Sequence, residues 1–274
     1  MARAPLSRTP VRDALDSAVI AIGAAGSDTP RLDAELLLAA ALGVDRAALI
    51  ADPGRGIEPA AARAFQDAAR RRAQREPVAY ILGSKGFRRL ELAVDARVLV
   101  PRPETEHVVE AALGLPRGAR VVDVGTGSGA IALALADERP DLRVVGTDSS
   151  AGALAVARAN AARLGLQVEL LEGDLLEPVA GPIDAVVSNP PYVAAGERLP
   201  AELAHEPVEA LVAGADGLEV YRRLAPAVAA SGAAFAAFEV GDGQAPAVAA
   251  LLRGFTIEVV PDLAGVERVV VGRR

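Results

Sequence analysis

The chain has 274 residues, 51% of them hydrophobic, a net charge of −7 and no cysteine. Its length and apolar fraction allow a substantial core in one large or two smaller domains. The lack of cysteine excludes disulfides and thiolate metal sites, and with His107 and His205 as the two histidines no metal site is expected.

The opening stretch, MARAPLSRTPVRDALDS, has no apolar leader core, and no run of about 18 apolar residues occurs without a charge. A soluble cytoplasmic protein, away from membranes, is expected. Thr9-Pro10 reads as an N-cap followed by proline at the first helical position. Val11, Leu15, Val19 and Ile22 then recur at helical spacing. Thr29-Pro30 repeats the start signal before RLDAELLLAAALG, where Gly43 is the stop. A third helix is predicted over PAAARAFQDAARRRAQR, closing before Pro77. Within it Arg70, Arg71, Arg72 and Arg75 form a basic run, read as a solvated face or as a docking patch for an acidic partner. Residues 1–82 are thus expected to form a small helical bundle. Residues 83–104 follow as a linker: GSKGFRRLELAVDARVLV alternates apolar and polar, contains a turn-like VDAR, and predicts a β-hairpin.

Residues 105–274 predict a separate α/β domain, starting with a helix near Thr105. RVVDV, RVVGTD, QVELLEGD, IDAVVSN and AAFAAFEV read as strands. SGAIALALADE, SAGALAVARANAARLG, GLEVYRRLAPAVAA and QAPAVAALLRG read as helices. Such alternation predicts a mostly parallel sheet covered on both faces. FTIEVVPD and GVERVVVGR have no helix between them and predict an antiparallel last pair. Residues 1–104 carry 16 basic and 13 acidic side chains, net +3, whereas residues 105–274 carry 13 and 23, net −10. An acidic α/β part is a poor match for a phosphate backbone.

DVGTGSGA, residues 123–130, lies between the first parallel strand and its helix. Gly125, Gly127 and Ala130 fit the G-x-G-x-x-A pattern, in which glycines allow a sharp turn and close approach to a ligand at a helix N-terminus. By itself the loop does not separate a nicotinamide enzyme from an adenosyl-methionine enzyme. Asp148 ends the second strand, where its carboxylate can accept from both ribose hydroxyls. Asp174 ends the third strand and can accept from an adenine amino group, with Leu175 packing on the ring. An aspartate at a strand end is also a common turn residue.

The fourth strand ends on Asn189-Pro190-Pro191-Tyr192, in a loop expected to overhang the same crevice. This combination suits an acceptor with a planar nitrogen. Such a nitrogen has a delocalised lone pair and N–H donors, and it needs acceptors that fix its plane. The Asn189 oxygen supplies one and the Pro190 carbonyl a second, on a backbone stiffened by two prolines. Tyr192 offers a flat face with a polar tip. Positioning of this kind can lower a barrier by roughly 7–11 kcal/mol. Asn189, Pro190 and Tyr192 are therefore the candidate catalytic residues.

DVGTGSGAIALALA, TD and NPPY together resemble the class I adenosyl-methionine-dependent methyltransferases that act on planar nitrogen. PVAYILGSKGF, VLVPRPETE, HEPVEALVAGADGLEVYRRL and GVERVVVGR narrow the resemblance, over nearly the whole chain, to the release factor glutamine methyltransferases. The resemblance implies a seven-stranded Rossmann-like methyltransferase sheet. It also implies transfer of a methyl from S-adenosyl-L-methionine, leaving S-adenosyl-L-homocysteine, to the N5 of the glutamine in the Gly-Gly-Gln loop of class 1 peptide-chain release factors, modulating translation termination. It carries over Gly125, Thr126, Gly127, Ser128, Gly129, Asp148, Asp174, Leu175 and Asn189 as cofactor contacts. Asn189, Pro190, Pro191, Tyr192 and Phe87 carry over as substrate contacts, and the helical part and hairpin as the grip on the release factor. Many members have a bulky aromatic where Leu175 stands, and the segment from Tyr192 to His205 is short here.

Three other readings are weighed. An adenine-N6 methyltransferase would use the same Asn-Pro-Pro-Tyr logic, but it needs a basic groove and a flipped base, and no stable nucleic-acid partner is expected. A nicotinamide oxidoreductase leaves that motif idle. A binding module that kept the cofactor pocket has no use for Asn189 in the intact motif.

Overall fold

The computed structural model of the protein describes residues 9–274. Residues 1–8, which open the stretch read for a leader, lie outside the described residues. By the density of internal packing the chain divides into one unit of residues 1–83 with 200–205 and a second of residues 84–199 with 206–274.

The smaller unit is helical: α1 (Val11–Ala24), α2 (Pro30–Leu42), α3 (Arg46–Ala51), α4 (Pro59–Ala73) and α5 (Val78–Leu82). The start of α1 falls one residue later than expected. Pro10 takes the cap position with extended backbone, and Thr9 is tied outside the helix by its carbonyl, which accepts from the Ile57 N–H at 2.9 Å. Proline begins α2 and α4, where its missing N–H is of no consequence. Asp45 caps α3 by accepting from the Ala48 N–H. Val11, Leu15, Ala18 and Ile22, three or four apart, turn one face of α1 onto Leu37 and Leu38 of α2 and Phe65 of α4.

The basic run is divided: Arg70 and Arg71 are exposed, as a solvated face requires, whereas Arg72 is turned inward. Arg72 is buried, and its Nε donates to Asp33 at 2.7 Å. Its Nη2 reaches Ser27 and Glu202 at 2.9 Å. Arg75 pairs with Glu202, Arg71 with Glu76, and Arg70 with Asp67.

The larger unit opens with a two-stranded hairpin, β1 (Ser84–Phe87) and β2 (Leu90–Ala93), paired Phe87 to Leu90. Its turn is Arg88-Arg89, with Arg88 at φ 53, and not the VDAR that composition suggested. Ion pairs hold Arg88 there: its guanidinium binds Glu138 and Glu110, and its N–H binds Glu106. Asn160 receives the edge of β2, accepting from the Ala93 N–H and donating to its carbonyl.

Then follow α6 (Glu106–Ala112), β3 (Arg120–Val124), α7 (Ala130–Glu138), β4 (Arg143–Asp148), α8 (Ala151–Leu164), β5 (Glu169–Glu172), β6 (Ala185–Ser188), α9 (Glu219–Ser231), β7 (Phe235–Glu239), α10 (Ala245–Leu251), β8 (Thr256–Pro261) and β9 (Glu267–Arg273). The seven strands β3 to β9 lie in the order β5-β4-β3-β6-β7-β9-β8. β9 runs antiparallel to both β7 and β8, and the other pairs are parallel. Alternate residues of β3 serve the two faces. Val121 belongs to the core with Ile131, Leu133 and Leu135, while Val122 and Val124 join Tyr221, Leu224 and Phe238 on the other side. Each of these fully buried side chains contributes roughly 1.5–3 kcal/mol. β3 lies between β4 and β6, so the chain reverses direction across the sheet there, and a crevice opens at the carboxyl ends. No helix among the described residues is long and apolar enough to cross a membrane.

Candidate active site

β3 ends at Val124 and α7 begins at Ala130, so the turn between them must change direction in five residues. Gly125 and Gly127 have φ of 71° and 57°, and an added Cβ on either would meet nothing within 4 Å. Their backbone therefore faces open space, which is the requirement for close approach of a ligand. β4 anchors the turn from beside: the N–H groups of Gly125 and Thr126 donate to the Thr147 carbonyl at 2.9 Å. The Gly127 N–H donates to Asp148 Oδ2 at 2.9 Å, and the Ser150 N–H donates to Asp148 Oδ1 at 2.9 Å. Burial raises the Asp148 pKa, and these backbone donors oppose that shift.

A cavity of about 220 Å³ lies at these strand ends. Gly125, Gly127, Asp148, Asp174, Leu175, Asn189, Pro190 and Pro191 line it, with Glu209 and Arg223. A smaller cavity of about 50 Å³ adjoins Gly127 and Asn189 and is lined also by Thr126, Ser128 and Thr105. Asp174 is engaged by the Arg223 guanidinium. Leu175 stands at φ 49, and its carbonyl accepts from Thr147 Oγ1 at 2.8 Å. A leucine at positive φ is strained, and the Thr147 bond offsets that strain at the cavity wall.

Of the other expected residues, Thr126 reaches the smaller cavity without its hydroxyl, and Gly129 and Phe87 line neither. The Thr126 hydroxyl turns inward to donate to Asp123 Oδ2 at 2.6 Å. Gly129 lines neither cavity and packs against Leu133. Phe87 is 1% exposed in the hairpin core, away from both cavities. With Leu92 of β2 it joins the core that also holds Leu133 and Leu135 of α7.

The loop after β6 is braced residue by residue. Asn189 Nδ2 donates to Thr105 Oγ1 at 3.0 Å, while among the described residues Asn189 Oδ1 and the Pro190 carbonyl accept no hydrogen bond. The Tyr192 carbonyl accepts from Gln244 Nε2 at 2.9 Å, and Val193 bridges to Val212. Burial, with Glu239 nearby, pushes the Tyr192 phenol up to about 12, so it stays neutral and acts by shape. Gly217, at φ 75, passes so close that a Cβ would lie 2.2 Å from the Tyr192 carbonyl oxygen. Sequence reasoning missed Thr105, Glu239, Gln244 and Gly217. Glu239 had a legible signal, a carboxylate ending an apolar strand like Asp148.

Comparison with known proteins places this geometry. Residues 13–83 match the PrmC N-terminal domain and residues 105–240 the methyltransferase small domain. The release factor glutamine methyltransferase of Deinococcus radiodurans is 43% identical over 274 residues, covering 96% of this chain and 98% of that protein. The chain belongs to the release factor glutamine methyltransferase family. That of Koribacter versatilis is likewise 43% identical over 96% of this chain and 98% of its own. A methyltransferase structure from Pyrococcus furiosus shares the fold, at 18% identity with a TM-score of 0.52 over 67% of this chain and 88% of that one. As a release factor glutamine methyltransferase family member the chain is an S-adenosyl-L-methionine-dependent enzyme. Both the helical segment and the α/β segment fall within the family match.

Proposed function

We propose that the protein methylates the side-chain N5 of the glutamine in the Gly-Gly-Gln loop of class 1 peptide-chain release factors, in the cytoplasm. The observation that carries this reading is the Asn189 amide. Its nitrogen is held by buried Thr105, and its oxygen and the Pro190 carbonyl are left as two acceptors beside the glycine turn. Two acceptors in a rigid frame match the two N–H donors of a primary carboxamide.

The cavity residues fit S-adenosyl-L-methionine. Gly125 and Gly127 leave open backbone for close approach, Asp148 is a carboxylate acceptor for ribose hydroxyls, and Leu175 is an apolar wall for an adenine ring. Asp174 serves the adenine end together with Arg223, which neutralises it. When bound, the cofactor supplies an electrophilic methyl on a sulfonium.

The chain's own work is positioning. Asn189 Oδ1 and the Pro190 carbonyl accept the two amide N–H groups and hold the glutamine plane. Pro190 and Pro191 keep that carbonyl from swinging away. The amide nitrogen grows more acidic as it gains a methyl, so both hydrogen bonds strengthen in the transition state, where they favour catalysis. No strong base is needed before that point, and the proton leaves late. The net charge of −10 over residues 105–274 supports a protein substrate over a nucleic acid.

The deciding experiment incubates the protein with labelled S-adenosyl-L-methionine and a release factor, or its Gln-to-Ala variant, and locates the label by mass spectrometry. Label on the glutamine of the first and none on the second is expected. In the same assay Asn189→Ala should lose about 100-fold or more in kcat while keeping cofactor affinity by calorimetry. Unchanged turnover would remove Asn189 from its role.

A further inference from the structure

We infer that Glu206 is a positioning residue for cofactor binding: it clasps residues 99–101 to residues 207–210 and so fixes Leu99 where the two cavities meet. This deepens the function proposed above and rests on its assignment of the larger cavity to S-adenosyl-L-methionine.

Two irregular stretches of chain form walls of the cavities. Leu99 lines both cavities and Pro101 the smaller one, while Pro207, Glu209 and Ala210 line the larger. Among the described residues, those shared by both cavities are Leu99, Gly125, Gly127 and Asn189. The last three are the glycine turn and the amide assigned to the two reactants. Leu99 therefore stands at the junction between the cofactor and the substrate amide.

Glu206 joins the two stretches. Its side chain is 1% exposed. Oε2 accepts from the Val100 N–H at 3.0 Å, and Oε1 accepts from the Arg102 guanidinium. The sequence explains why a side chain has this task. Pro101 and Pro103 carry no N–H, so residues 100–103 cannot sustain a strand ladder. Val100 is nevertheless buried, and its N–H needs an acceptor. A carboxylate takes two donors at once, and Arg102 offsets the cost of burying its charge. The second stretch is fixed at its far end too. The Val193 N–H donates to the Leu211 carbonyl at 2.8 Å, and the Ala213 N–H donates to the Val193 carbonyl at 2.9 Å. Val193 directly follows Tyr192, so residues 207–210 run between the Glu206 clasp and the end of the Asn-Pro-Pro-Tyr loop.

The consequence is mechanical. Leu99 and Val100 share a peptide bond, so the bond from Val100 to Glu206 sets where Leu99 can be. Its apolar side chain then closes the larger cavity on the side facing Asn189. With the clasp broken, Leu99 is free to withdraw and a bound ligand loses one wall. An ion pair that served stability alone would leave ligand affinity unchanged in the folded chain.

The test is the Kd of S-adenosyl-L-methionine for the full chain, by calorimetry at a temperature where thermal unfolding shows each variant folded. Glu206→Gln keeps the size of the side chain but sets an NH₂ group against one of the two donors. Its Kd should rise about tenfold, the worth of one charge-assisted bond. Leu99→Ala should raise Kd as well, Leu99→Met should keep it, and Glu206→Gln added to Leu99→Ala should raise it no further. In turnover, KM for the cofactor should rise with Kd while KM for release factor holds. Full additivity of the two substitutions, or a rise confined to KM for release factor, overturns the inference. Asp148→Ala is the control for the cavity. An unchanged Kd in Glu206→Gln beside a weakened Asp148→Ala refutes the clasp alone. An unchanged Kd in both refutes the assignment of the cavity to the cofactor, and the clasp with it. Should Glu206→Gln fail to fold, Arg102→Met breaks the other half of the clasp at a side chain that is 30% exposed. Its Kd should also rise without adding to Leu99→Ala, and no rise overturns the inference.

Discussion

Asp123 lies fully buried beneath the glycine turn. Its Oδ2 accepts from the Thr126 hydroxyl and the Ala132 N–H, and its Oδ1 has no partner among the described residues. Burial raises its pKa to about 7, with the Asp148 charge adding to the shift and the two donors opposing it. A folded pKa above the unfolded one means that the native state holds the proton more tightly. That contribution is complete below the unfolded value of about 3.9 and is lost as pH rises through the folded one. Wild-type stability should therefore carry a downward component between about pH 4 and pH 7 that Asp123→Asn lacks. Thermal unfolding of both proteins across that range would show it as a difference in slope. Gly217 gives a second expectation. Alanine there must take a φ of 75° and place its Cβ 2.2 Å from the Tyr192 carbonyl oxygen. The left-handed backbone alone costs about 1–2 kcal/mol, so Gly217→Ala should destabilise the protein by more than that, lowering the denaturant midpoint, and slow methyl transfer. An unchanged midpoint would show that Gly217 is not wedged against Tyr192.

Among the elements, α4 shows how composition misleads. Four arginines in six positions read as surface, yet Arg72 is 5% exposed and anchors α4 to Asp33 of α2. Helical spacing from Phe65, Ala68 and Ala69 puts Arg72, unlike Arg70 and Arg71, on the core-facing side of α4, but nothing local supplies a partner for its charge. Its burial depends on Asp33, 39 positions away. Removing one partner of a buried pair costs about 3–5 kcal/mol, so Arg72→Met should destabilise the helical unit by that amount. Arg70→Met, on an exposed pair, should cost less than about 1 kcal/mol. Denaturation followed by helix signal separates the two. The hairpin turn was misread for a similar reason: Arg88-Arg89 lacks turn chemistry and bends because Glu106, Glu110 and Glu138 hold it. α3 and α5, of six and five residues, are too short to leave a periodic trace.

Across the whole molecule, residues 200–205 leave the α/β run of sequence and pack with the helical unit, where Glu202 meets Arg72 and Arg75. We propose that the helical unit recognises the release factor. Deleting residues 1–83 should then raise KM for whole release factor by about tenfold or more and leave cofactor affinity unchanged by calorimetry. Equal KM values would exclude the docking role.

The strand-helix alternation, the antiparallel last pair, the glycine turn and the Asn-Pro-Pro-Tyr loop were all determined by the sequence alone. Each is a local matter of period, backbone freedom or strand ends, and local features survive being read in one dimension. The tertiary structure alone decided that Phe87 is core, that Gly129 faces a helix, that Asp174 is engaged by Arg223, and that Thr105 stands behind Asn189. Those outcomes depend on which distant residue supplies the missing charge or hydrogen bond. A buried polar group takes its partner from wherever the fold brings one, and that choice is not encoded in its neighbours along the chain.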